Sequence, residues 1–263
     1  MMSLNAQLER LVKNAKYLQN DEITEVVNNY RDLFNQYRFR LRPSVGSISL
    51  VSCSSYTPQL GFSNITSARG LQEKLEALRK GPTKLEAPGR QTPEKALQSW
   101  LILEAMQNDG RVASIERAVE DRHSYWFISD EIALTDPETD KRLVADLLMV
   151  SEDDRGEIEF VNVELKSQRT TETHIQAERF GKFIQEPDRS ALWRDFAETM
   201  LGGKKRRWKE PGECRGLVIW PSGSDGASPR ASTVDLVNQY RVQGIDTICY
   251  SGPEYRFRPE HSS

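Results

Sequence analysis

The chain has 263 residues, 37% hydrophobic and 29% charged, with a formal net charge of −3. This balance predicts a soluble globular protein, either one large domain or a core with an appendage. No run approaches the roughly 18 apolar residues of a membrane span, and the N-terminus lacks a signal-peptide core, so the expectation includes no membrane partner. Cys53, Cys214 and Cys249 are scattered without a CxxC pair, as expected of a reduced, cytoplasmic protein without structural zinc.

Charge is uneven along the chain. Residues 1–90 hold 13 Lys/Arg against 8 Asp/Glu, and the remainder holds 23 against 31. A basic first segment suits contact with phosphates, and an acidic second part suits carboxylates that hold metal.

In chain order, residues 4–36 read as helix from the spacing of Leu8, Leu11 and Val12, then Ile23, Val26, Val27, Tyr30 and Leu33. A break and fresh cap fall at Asn20-Asp-Glu22. Tyr37-Arg-Phe-Arg-Leu-Arg42 alternates apolar residues with Arg38, Arg40 and Arg42, giving a strand or extended arm. Its arginine face is either solvated or a phosphate-contacting strip. Residues 44–66 give no clear element, Ala68 to Lys80 reads as a short helix, and Gly81-Pro-Thr with Ala87-Pro-Gly-Arg-Gln forms a linker. The predicted division is therefore a mainly helical accessory or substrate-binding region, 1–86, and a second domain, 87–263.

Thr92-Pro-Glu-Lys starts a helix with a threonine cap, proline in the first turn and Glu94 near the positive helix end; Asp109-Gly stops it. Tyr125–Leu134 reads as strand, Asp136–Asp140 as a hairpin turn, and Leu143–Val150 and Phe160–Lys166 as two further strands. A helix follows from about Thr171 to Gln185, then a strand at Gly216–Trp220, a helix at Ser232–Arg241 and a last strand at Asp246–Tyr250. The expected fold class is α/β, a mixed central sheet flanked by helices.

The chemistry concentrates in the two middle strands. Asp146 interrupts an apolar strand, and Glu164 and Lys166 share one face of the next while Val161, Val163 and Leu165 share the other. Carboxylates embedded in β-structure need compensation, which a divalent cation supplies. Composition alone predicts roughly two Asp/Glu-x-Lys matches, and such short motifs match often by chance. The chain holds one, Glu164-Leu-Lys166, so its position on a strand 18 residues after Asp146 carries the inference. The bland alternative is an ordinary Glu164–Lys166 salt bridge.

Element order and residues together resemble the PD-(D/E)XK superfamily, the restriction-endonuclease-like fold with an αβββαβ core, over residues 92–220. The resemblance implies a Mg²⁺- or Mn²⁺-dependent endonuclease acting on DNA. Asp146 and Glu164 would be metal ligands, the Leu165 carbonyl a further ligand, and Lys166 the residue that activates water or stabilises developing charge. Ala145 stands where the family's proline would be. Gln176-Ala-Glu-Arg-Phe180 is similar to the Gln-x-x-x-Tyr element of RecB-like nucleases, with phenylalanine replacing tyrosine. Gln176, Phe180 and Phe183 lie at i, i+4 and i+7, which predicts an inward-facing glutamine. Pro93–Gln98 is similar to the first helix of archaeal-type branch and mismatch nucleases, which makes Glu94 a metal-site residue. Glu104 competes for that place from the same helical face. Such nucleases often dimerise to cut both strands, so a homodimer is a further partner to consider.

Lys204-Lys-Arg-Arg-Trp-Lys209 puts five positive charges around Trp208. Lys204, Lys205, Arg206 and Arg207 would contact phosphates while Trp208 stacks on a base, or the segment is a solvated loop with a partly buried tryptophan. No Ser-His-Asp arrangement and no GxxxxGK[ST] loop is legible, so no ATP site is expected. The alternative to a nuclease is a non-catalytic nucleic-acid- or partner-binding module with the same fold; a metal-binding protein of unrelated fold is the third reading.

Overall fold

Residues Ile158 to Leu165 are all buried, as expected of a strand covered on both faces. This strand, β6 (Glu157–Leu165), is central to a sheet that also contains β4 (Ser124–Thr135), β5 (Arg142–Glu152), β8 (Cys214–Pro221), β9 (Ile245–Ser251) and β10 (Arg256–Pro259). The computed structural model describes residues 2–53, 61–81, 92–119, 121–137, 140, 142–168, 173–209, 214–222 and 231–259. The sheet order is β10-β9-β8-β6-β5-β4, with the short β7 (Arg207–Trp208) paired to the start of β6. β4, β5 and β6 form an antiparallel meander, β8 and β9 continue it in parallel, and β10 closes the edge antiparallel. The protein is therefore α/β with a mixed sheet flanked by helices.

Side-chain alternation divides the sheet between two cores. On one face, Leu147, Met149, Val161, Val163 and Leu165 pack with Leu97, Leu101 and Ile102 of α5 (Pro93–Gln107) and Ile115 of α6 (Ala113–Val119). On the other, Leu148, Val150 and Phe160 meet Phe180 and Phe183 of α7 (Thr173–Gln185) and Trp193 and Phe196 of α8 (Pro187–Met200). A smaller core joins β8 and β9 to α9 (Ala231–Val242) through Trp220, Val237 and Tyr240. Gly216 permits close packing there, since a Cβ would lie 2.9 Å from Cγ1 of Ile245.

The N-terminal region is mainly helical but not wholly so. Alongside α1 (Leu4–Leu18), α2 (Asp21–Asn29), α3 (Arg31–Tyr37) and α4 (Ala68–Lys80), it contains a three-stranded antiparallel sheet. The strands are β1 (Phe39–Pro43), β2 (Ile48–Ser52) and β3 (Gly61–Ile65). Two of them fall in the stretch that gave no clear element. Helices α2–α4 and this sheet share a core of Ile23, Leu33, Phe39, Leu50, Leu71 and Leu75. Most of the expected linker lies outside the described residues.

Helix α1 belongs elsewhere. Leu8, Leu11, Val12 and Ala15 pack into the core beneath α8. Gln7 also binds the Thr135 backbone at the end of β4, donating to its carbonyl across 2.7 Å and accepting from its N–H across 2.9 Å. A boundary at residue 86 therefore cuts across a packed interface, because α1 covers the apolar face of the large sheet.

Candidate active site

The β5–β6 ladder stops at the acids. Its last pair on this side is Leu147 with Val163, and in place of the next rung Asp146 Oδ2 accepts the Leu165 N–H at 2.9 Å. Asp146 and Glu164 thereby come together on the α7 face, at the end of the meander. Lys166, one residue beyond β6, donates to Glu164 Oε2 at 3.3 Å and to Oε1 of Gln176 at 2.9 Å. These four residues line a cavity of about 290 Å³ together with Arg142, Leu143, Val144, Arg179 and Phe180.

The electrostatics are unfavourable for two bare carboxylates. Glu164 is only 3% exposed; burial, and then the charge of Asp146, push its carboxyl up to about 8 against the pull of Lys166. Burial also raises Asp146, opposed by the Leu165 N–H and Lys166. Oε1 of Glu164 is buried without a hydrogen-bond partner, a costly state for a polar atom. Among the described residues, no three His, Cys, Asp or Glu side chains form a ready metal cage. Two hard carboxylates with one orphaned oxygen nonetheless fit a divalent cation that keeps several waters.

Glu94 sits at the border of this group. Its Oε1 accepts from the Ser167 N–H at 2.9 Å and the Ser167 hydroxyl at 3.1 Å, so the start of α5 is fastened to the segment leaving Lys166. Glu104 is excluded from the site. Ten residues further along α5, it accepts from the N–H of Ser114 at 3.0 Å and from its hydroxyl, capping α6. Leu165 contributes its N–H to Asp146 and buries its side chain in the α5 core. Gln176 is not inward-facing as expected: it is exposed at the start of α7, with its carbonyl oxygen on Lys166, while Phe180 and Phe183 carry the buried stripe.

Three residues that sequence reasoning passed over support the site from behind. Gln98, buried on α5, donates to the Asp146 carbonyl at 2.7 Å and to Glu131 Oε1 at 2.9 Å. Lys95 donates to Gln98 Oε1 at 3.0 Å and pairs with Glu131. Glu131 lies between the Asp130–Leu147 and Ile132–Ala145 pairs, opposite Asp146, with φ of 48°. A non-glycine residue in that region is strained by about 1 kcal/mol or more. The only sequence signal was the acidic pair Asp130-Glu131 inside an apolar strand.

The residues expected to contact nucleic acid are not brought to the site. Arg40 and Arg42 both turn onto Asp130 of β4, Arg40 in close contact and Arg42 at 3.2 Å, and the Arg40 and Asp130 side chains are only 9% and 4% exposed. They clamp the small sheet to the large one, and only Arg38 is exposed. The basic segment lies at the other end of β6, where β7 pairs with Glu157 and Ile158. Seven residues of strand, roughly 23 Å, separate Glu157 from Glu164. There Arg207 pairs with Glu157 at 2.7 Å, Arg206 with Glu152 at 3.6 Å, and Lys209 with Glu159 at 3.3 Å. Trp208 stacks on Phe160 at 4.6 Å and donates to Glu198 at 2.9 Å, so its ring is committed to packing. Lys204 and Lys205 are exposed, without an ion pair among the described residues.

Compared with protein-family models, with curated proteins and with solved structures, the chain matches none of them. No helix among the described residues is long and apolar enough to cross a membrane.

Proposed function

We propose that the chain is a metal-dependent nuclease of the PD-(D/E)XK type, hydrolysing phosphodiester bonds of DNA. One observation carries this reading. Asp146 and Glu164 meet on adjacent strands with Oε1 of Glu164 orphaned, and Lys166 stands across them between Glu164 and Gln176. The order α5, β4–β5–β6, α7, β8, with β6 and β8 parallel, supports a restriction-endonuclease-like core.

Asp146 and Glu164 would hold the cation, with the Leu165 carbonyl as the candidate backbone ligand. A bound Mg²⁺ or Mn²⁺ would neutralise the phosphodiester and lower the pKa of water. Lys166 does the work nearest the reacting phosphate. Its ammonium, oriented by Gln176 and Glu164, is placed to stabilise negative charge developing on phosphoryl oxygens. Glu94 fixes the backbone after Lys166 through Ser167, and Gln98 fixes the backbone of Asp146, so both reactive strand ends are pre-organised.

The test is cleavage of linear, single-stranded and branched DNA with Mg²⁺, Mn²⁺ or EDTA, beside Glu164→Ala. Metal-dependent cutting that the variant loses is the expected result. A folded wild type that cuts none of these substrates would favour the binding-module alternative.

A further inference from the structure

The catalytic cavity is not closed on its outer side. Arg142, Leu143 and Arg179 line it and also line a larger cavity of about 680 Å³, bounded by the start of α1, the β4–β5 hairpin and the α7–α8 corner. One face of α7 runs through both spaces. Gln176 reaches Lys166 in the inner one, Arg179 stands on the shared wall, and Lys182 lies in the outer one, each three residues from the last.

The charges along this passage differ in their commitments. Lys182 is paired with Glu178 at 2.5 Å, and Arg189 with Glu186. Asp136 and Asp188 add negative charge to the outer wall. Arg142 and Arg179 are both exposed, and neither has an ion pair or hydrogen bond among the described residues. Two uncommitted guanidinium groups thus line the passage out of a cavity whose inner wall is acidic. Each guanidinium is a planar fork of donors that matches the geometry of a phosphate. The outer acids limit its reach, which makes this a local subsite for one or two phosphates rather than a long basic track.

We propose that Arg142 and Arg179 form a phosphate-binding subsite for the nucleic-acid strand, holding the phosphate next to the one presented to Asp146, Glu164 and Lys166. This rests on the nuclease reading for its orientation but not for its existence. It also moves the substrate contact from the β7 loop, at the far end of the sheet, to the mouth of the catalytic cavity.

The test is binding of a fluorescein-labelled single-stranded oligodeoxynucleotide, followed by anisotropy over a range of salt in EDTA, with cutting in Mg²⁺ measured separately. Arg142→Gln with Arg179→Gln should lower the salt slope by about 1.4, the value for two phosphate contacts on a single strand. Arg142→Lys with Arg179→Lys should restore most of it, since the charge returns without the fork. Lys204→Gln with Lys205→Gln should leave it unchanged. Both arginines are exposed, so the variants should keep the wild-type melting temperature. An unchanged slope in the double glutamine variant, or no binding by wild type, overturns the subsite. Binding through the arginines by a wild type that cuts nothing would retain the subsite and remove the nuclease reading. Cutting with an arginine-independent slope would do the reverse.

Discussion

Asp146 Oδ2 takes the Leu165 N–H at 2.9 Å where the β5–β6 ladder would otherwise add a rung. A side chain thus replaces a backbone carbonyl, and the two strands are held together while their ends stay open around Glu164. Asp146→Asn keeps an oxygen acceptor for this N–H and removes the charge. It should fold with an unchanged or slightly raised melting temperature and lose on the order of 10²–10³ in cleavage rate. Asp146→Ala should lose cleavage and also about 1–2 kcal/mol of stability from the unpaired N–H, measured by urea unfolding. Cleavage retained by the asparagine variant would remove Asp146 from the site.

Glu164 gives the metal-free protein a pH signature. Its folded-state carboxyl is raised to about 8 by burial and Asp146, above the ordinary value of 4.5. The folded state therefore binds the proton more tightly than the unfolded state. The resulting stabilisation is fully present below about pH 4.5 and is lost as pH rises through about 8. In EDTA, wild type should become less stable than Glu164→Gln across this window, by roughly 4 kcal/mol at its upper end. Parallel stability–pH curves for the two proteins would contradict this account.

Gln98 uses both amide hydrogens to hold the Asp146 carbonyl and Glu131. Gln98→Leu should lower kcat about tenfold with little change in KM, because the strand end is displaced while the substrate surface is intact. Gln98→Glu, which cannot donate in its ionised form, should fare no better. A change confined to KM would reassign the residue to substrate contact.

The Arg40–Asp130–Arg42 clamp makes a stability prediction. Asp130→Ala leaves two guanidinium groups against a closed interface and should cost about 3–5 kcal/mol. Arg42→Ala, whose partner keeps Arg40, should cost less. Equal, small effects in chemical denaturation would show that the two sheets are not coupled through this contact.

The strands carrying the acids were legible because Asp146 and Glu164 break apolar runs, and α5 because Thr92 and Pro93 mark its start with a cap and a first-turn proline. Helix α8 is equally marked, by Pro187 at its start and by the spacing of Trp193, Phe196 and Ala197. The arginines of β1 were ambiguous for a physical reason. A solvated face, a phosphate strip and an interdomain clamp all place charge at every second residue, and the deciding partner, Asp130, lies 88–90 residues away. Glu131 was hidden more deeply, since its place depends on a positive φ within a strand.

The seat of α1 against α8 bears on how the chain acquires its shape. Asn5 meets Asp188 at a sequence separation of 183, and Lys16 meets Asp195 at 2.6 Å. During synthesis, α1 must wait until α8 has been made before its apolar side is covered. Closing so long a loop carries an entropic cost that local contacts do not defray in advance. Refolding should therefore have a late phase in which α1 docks, and a chain truncated before α8 should expose Leu8, Leu11 and Val12 as a sticky surface.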